Sequence, residues 1–181
     1  VPLHTRFEAL VDGTNGNTTL KPVHATLGTT SFTTAGTVFK HDGDTKRTIE
    51  LTVHIADGEV MDLLRLASKS KPFLSGRIQL DSKILIPPLE QKVAEKLILD
   101  GKFSIRRGMF LQENVQDKVD SLSRRGMGQP KNRELDNAFS NMAGKFRLED
   151  QLLAFEALTY DVPGAAVDLS GSYDMAADQL D

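Results

Sequence analysis

The sequence predicts a mainly β fold: an extended, twisted antiparallel sheet curled into a groove, a partial barrel or a sandwich, with a few short helices. Three observations predict it. Apolar and polar residues alternate with period two over most of the chain. Asx-Gly pairs punctuate it at Asp12-Gly13, Asn15-Gly16, Asp42-Gly43 and Asp57-Gly58, and such pairs tolerate the positive φ of tight turns. Helical periodicity is confined to short segments.

Taken in order, residues 4–12 alternate polar His4, Arg6 and Glu8 with Thr5, Phe7, Ala9 and Val11. Residues 48–55 do so more cleanly, with Thr48, Glu50, Thr52 and His54 on one face and Ile49, Leu51, Val53 and Ile55 on the other. That pattern suits a sheet with one wet and one covered face. Further strands are expected at 76–80, 83–86, 102–106, 145–148 and 167–175. Asp42-Gly43 marks a hairpin, and Pro87-Pro88 ends a strand because neither residue can donate to a ladder.

Two segments switch to helical period. Val60, Leu63, Leu64 and Ala67 form one stripe, with Asp57 as the expected N-cap. Val115, Val119 and Leu122 form the stripe of a helix over 113–125. There Asn114 is the expected cap, and Arg124, Arg125 and Gly126 close the end. A short helical turn is expected within 90–96. Residues 126–141 read as a polar surface loop. A strand phrase, glycine followed by alternating apolar residues, begins at Gly76, Gly101, Gly144 and Gly171. It suggests stacked β units with insertions. The domain reading is a single β-rich unit over 1–181, a fragment of a larger protein, or two stacked units over 1–70 and 71–181.

Composition bounds the function. The formal net charge is −3, from 22 basic and 25 acidic residues, so nothing draws the chain as a whole to nucleic acid. Without cysteine there is no disulfide, thiolate nucleophile or Cys-based zinc site. No apolar run approaches the ~18 residues of a membrane span. There is no Gly-x-Ser-x-Gly motif. His4, His24, His41 and His54 lack the helical spacing of a metal pair and read as solvated. The Asp12 turn lacks the acid that closes a calcium loop, since Val23 stands there. Lys118, Arg124, Arg125, Lys131 and Arg133 could meet lipid head groups or an acidic partner. Interleaved Asp117, Asp120, Glu134 and Asp136 make a mixed solvated face the better reading. No catalytic residue, metal site or cofactor is expected.

Four phrases, taken together and in order, carry a resemblance: IELTVHIADGEVMDLLRL at 49–66, LDGKFSIRRGMF at 99–110, VQDKVDSLSRRG at 115–126, and GKFRL at 144–148 leading through VPGA at 162–165 to LSGSY at 169–173. From about Gly36 onward the chain resembles the C-terminal region of the AsmA-like envelope proteins. The resemblance implies a non-enzymatic role in lipid transport or outer-membrane biogenesis. It also implies a periplasmic setting in a Gram-negative bacterium and a parent protein anchored in the inner membrane. The implied partners are phospholipid or another acyl-chain ligand, the rest of the parent chain and other envelope proteins. The residues expected to face lipid are Ile78, Leu80, Ile84, Ile86, Phe103, Ile105, Phe146, Leu148 and Phe155. A closed, dry core would use the same residues. The alternative function is a β-sandwich interaction module; low aromatic content (6%, no Trp) disfavours a glycan platform.

Overall fold

A computed structural model describes residues 2–67, 71–130, 137–174 and 179–180. Eleven strands form one antiparallel sheet. They are β1 (Leu3–Thr5), β2 (Ala9–Val11), β3 (Thr18–Leu27), β4 (Thr30–Phe39), β5 (Thr48–Glu59), β6 (Leu74–Ile86), β7 (Ile98–Phe110), β8 (Ser140–Glu149), β9 (Leu152–Val162), β10 (Ala165–Asp174) and β11 (Gln179–Leu180). From β3 onward each strand pairs with the next in sequence, while β1 and β2 both pair with β3. The two ends of the sheet do not meet, so it is curled but not closed into a barrel. Helix α1 (Val60–Ala67) joins β5 to β6, α2 (Val93–Lys96) joins β6 to β7, and α3 (Glu113–Gly126) joins β7 to β8.

Several local expectations need correction. Residues 4–12 form two three-residue strands rather than one, and both lie along β3. Asp57 is no helix cap. It lies inside β5 beside a bulge between Ile55 and Gly58, and its carboxylate binds the Arg77 guanidinium instead. Asn114 falls inside α3, whose N-cap is Gln112 without a side-chain bond, and Gly126 is the last helical residue. Lys131, Arg133, Glu134, Asp136 and Met175 lie outside the described residues.

Bulges occur in β5 at Ile55/Gly58 and in β7 around Arg107, where β7 carries an extra residue against both β6 and β8. Both lie near the same end of the sheet, where they increase twist and bend the strands. The core also sits at this end. Val60, Leu63 and Leu64 of α1 pack on Leu74, Ile78 and Ile105. Val119 and Leu122 of α3 pack on Ala138, Val162 and Tyr160.

Buried polar groups fix α1 and α3. Asp62 of α1, only 4% exposed, accepts hydrogen bonds from the backbone N–H and hydroxyl groups of both Thr29 and Thr30 in the β3–β4 turn, at 2.9 to 3.1 Å. Burial pushes its carboxyl up, but these four bonds outweigh it and the net shift is downward. In α3, Gln116 accepts from the Phe110 N–H at 2.9 Å and donates to the Ala138 carbonyl at 3.0 Å. Ser123 donates to the Pro163 carbonyl at 2.9 Å.

Candidate functional site

The register builds one continuous apolar face. Side chains directly opposite each other across a ladder point the same way. One row runs Leu20, Gly36, Leu51, Ile84, Leu99, Leu148, Leu153, Tyr173. The next runs Val23, Thr34, Val53, Ser82, Gly101, Phe146, Phe155, Gly171. A third runs Ile55, Leu80, Phe103, Gly144, Leu158, Leu169. The first two rows cross eight strands, a span of roughly 34 Å at the usual strand spacing.

The recurring glycine phrase acquires a physical meaning here. Gly101 stands opposite Phe146, Gly144 opposite Phe103, and Gly171 opposite Phe155. A Cβ at Gly101 would lie 2.8 Å from the Phe146 ring, so the ring occupies the space glycine leaves. Phe103 also meets the other two rings. Phe103 lies 6.2 Å from both Phe146 and Phe155, edge-on to the latter. At Gly101 the glycine thus lets a ring lie against its neighbouring strand, whereas a Cβ at Gly144 would meet the Ala157 carbonyl and Leu158. The three rings floor the middle of the face.

Among the described residues no second layer packs over most of this face. In the three rows only Val23, Ile55 and Leu148 are fully buried; the other large apolar side chains are partly exposed. The chain has 11853 Å² of accessible surface, where a compact chain of 19.9 kDa has roughly 8,700 Å². A packed two-layer core would bury these rows and lower that area. The nine residues expected to face lipid therefore divide. Ile78 and Ile105 lie beneath α1 in the covered cluster. Leu80, Ile84, Phe146 and Phe155 lie partly exposed on the three rows, Leu148 lies on the first row but is buried, and Phe103 lies on the third row against the cluster beneath α1. Ile86 lies beyond them, opposite Ile49.

Sequence reading missed part of the face. Leu153 and Leu158 of β9 belong to it, but β8 and β9 shift register between Lys145 and Phe146. Phe155 and Leu158 then point inward with Glu156 and Ala157 between them, and period two fails there. Strand β3 hides Val23 in the same way, behind a shift that accommodates Lys21 and Pro22.

The opposite face is polar. His54 Nδ1 lies 2.5 Å from Asp81 Oδ1, and Lys102 Nζ lies 3.5 Å from Asp81 Oδ2. The hydrogen bond to His54 holds the Asp81 carboxyl below the usual carboxylate range. Arg147 reaches Asp100 at 3.6 Å and Glu149 at 2.9 Å. These pairs are solvent-screened. His54, Asp81, Lys102 and Asp100 line a shallow depression of about 500 Å³ in which Lys83, Lys102 and Lys145 balance Asp81, Asp100 and Glu156. The balance leaves little net field for an ion. Among the described residues no hydroxyl is bonded to His54: Thr52 donates to the Ala35 carbonyl, and Ser82 on the other face donates to backbone carbonyls. Nor do three or more His, Asp or Glu side chains among the described residues gather as metal ligands. No described helix is long and apolar enough to cross a membrane. No protein-family model, curated protein or solved structure matches this chain.

Proposed function

We propose that this chain is a non-enzymatic lipid-handling domain of the AsmA-like type, whose apolar sheet face takes the acyl chains of phospholipid. The reading rests on one observation: a row-by-row apolar face, floored by phenylalanine, that no second layer covers among the described residues. A sheet curling toward that face brings adjacent rows together. Such crowding gives the partial burial seen there without a covering layer. At roughly 34 Å the face is about twice the length of one acyl chain, taken as half of a ~30 Å hydrocarbon core. The alternating ion pairs behind it keep the other face in water, so the sheet is sided as a trough needs. The periplasmic setting, the inner-membrane anchor of the parent protein and a part in outer-membrane biogenesis rest on the sequence resemblance.

Native mass spectrometry of the purified protein, followed by organic extraction, tests this reading. Co-purifying phospholipid and saturable binding of a fluorescent fatty acid are expected. Lipid-free protein that also fails to bind the fatty acid would reject the trough. It would favour the alternative, an envelope interaction module whose apolar face meets protein.

A further inference from the structure

Strand ends at the helix-bearing end of the sheet carry a second, separate feature on the polar side. Phe73, Leu111 and Phe139 are 48%, 47% and 43% exposed. They form one patch by register. The Leu111 N–H donates to the Phe73 carbonyl at 2.9 Å. Met109 lies opposite Ser75, and Gly108 opposite Ser140, which brings Phe139 beside Met109.

Cations border the patch. The Arg107 guanidinium lies 4.5 Å from the centre of the Phe139 ring. Arg106 and Arg107 make no salt bridge among the described residues, whereas neighbouring Arg77 is engaged by Asp57 and Glu59. Arg107 also has φ of 53° at the β7 bulge, a left-handed conformation that favours glycine. The Asn141 side chain accepts its N–H at 3.3 Å. The left-handed conformation belongs to the bulge, and it carries the guanidinium over an exposed ring.

We infer that this rim docks on an anionic bilayer surface, with its aromatic and apolar side chains entering the interface and Arg106 and Arg107 meeting lipid phosphates. Charge selects this occupant. The chain as a whole carries −3, so two arginines without a salt bridge among the described residues are a local exception at the rim, with Arg106 sharing the field of Asp57 and Arg107 free of it. Rings interleaved with unpaired cations are the composition of interfacial anchors. The inference does not depend on whether the trough takes acyl chains.

Sedimentation with phosphatidylcholine vesicles, with and without phosphatidylglycerol, tests it. Wild-type protein is expected to partition onto the mixed vesicles and to be released at about 1 M salt, where the Debye length is ~3 Å. Arg106→Gln with Arg107→Asn keeps a residue tolerant of the left-handed bend and is expected to weaken partitioning about fivefold per cation. Phe73→Ser with Phe139→Ser is expected to weaken it further at any salt. Lys83→Gln with Lys145→Gln, which removes two cations elsewhere on the polar face, is expected to change it little. Circular dichroism confirms that each variant keeps its fold. No binding to the mixed vesicles, or an equal loss in the Lys83/Lys145 variant, would overturn the rim as the docking site.

Discussion

Replacing Ile105 and Phe146 separately with alanine compares the covered end of the sheet with its open rows. Ile105 lies beneath α1. Its truncation leaves a closed cavity and is expected to cost about 3 kcal/mol. Phe146 is the larger side chain but rests sideways on Gly101 and Phe103, with its row open above. Water fills the space it vacates, so only the transfer part remains. At ~25 cal/mol per Å² over roughly 80 Å², that is about 2 kcal/mol. In a closed core the order reverses, and Phe→Ala costs roughly 3–5 kcal/mol. Urea unfolding followed by circular dichroism reads the difference. With a slope of ~2 kcal/mol per M, the midpoint is expected to fall by about 1.5 M for Ile105→Ala and about 1 M for Phe146→Ala. A Phe146→Ala loss equal to or larger than that of Ile105→Ala would refute the open rows.

Three further substitutions probe the frame. Asp62→Ala strips four hydrogen bonds from the Thr29–Thr30 turn and is expected to cost about 3 kcal/mol in thermal or urea unfolding. Because the Asp62 carboxyl is depressed in the folded chain, its contribution is full above the ordinary aspartate range of roughly 4. It is lost as pH falls through the lower folded value. Melts taken down to acid should show this loss in wild type and not in Asp62→Asn. Gly101→Ala drives a methyl against the Asp81 carbonyl at 2.6 Å and the Phe146 ring at 2.8 Å and is expected to cost about 1–2 kcal/mol; adding Phe146→Leu relieves only the ring contact and is expected to recover part of that loss. Thr34→Val removes a buried hydroxyl that has no partner among the described residues and is expected to gain about 1 kcal/mol.

Much of the fold was legible because strong local signals agreed with the sheet. Residues 48–55 lie in β5, and Pro87-Pro88 stops β6 at Ile86. The helix expected over 113–125 is α3, Glu113–Gly126. The Asp42-Gly43 turn lies between β4 and β5, where Phe39 pairs with Thr48. Failures cluster where long-range pairing overrides local grammar. Asp57-Gly58 reads as a turn and helix cap, but β6 supplies Arg77, and the pair becomes part of a bulged strand. Strand β9 went unread because its bulge at Glu156 breaks the alternation.

The candidate site was half legible for the same reason. Alternation marks Leu80, Phe103 and Phe146 as sharing a face, but only register shows that glycines stand opposite the phenylalanines. Whether that face is covered depends on where α1 and α3 come to rest. They rest over Ile78, Ile105 and Val162; Phe103 packs against the first of these clusters, while Phe146 and Phe155 belong to neither. The rim patch was invisible in sequence. Phe73, Leu111 and Phe139 are far apart in the chain, and each sits next to a residue that packs inward.

The most direct measurement is photo-crosslinking of the purified protein with a phospholipid that carries a diazirine in its acyl chain, followed by peptide mass spectrometry. Labels are expected on Leu51, Leu80, Phe103, Phe146 and Phe155, across strands β5 to β9, and in reduced yield after Phe146→Ala. Labels confined to the polar-face depression around His54 and Lys102, or no label at all, would contradict an acyl-binding trough.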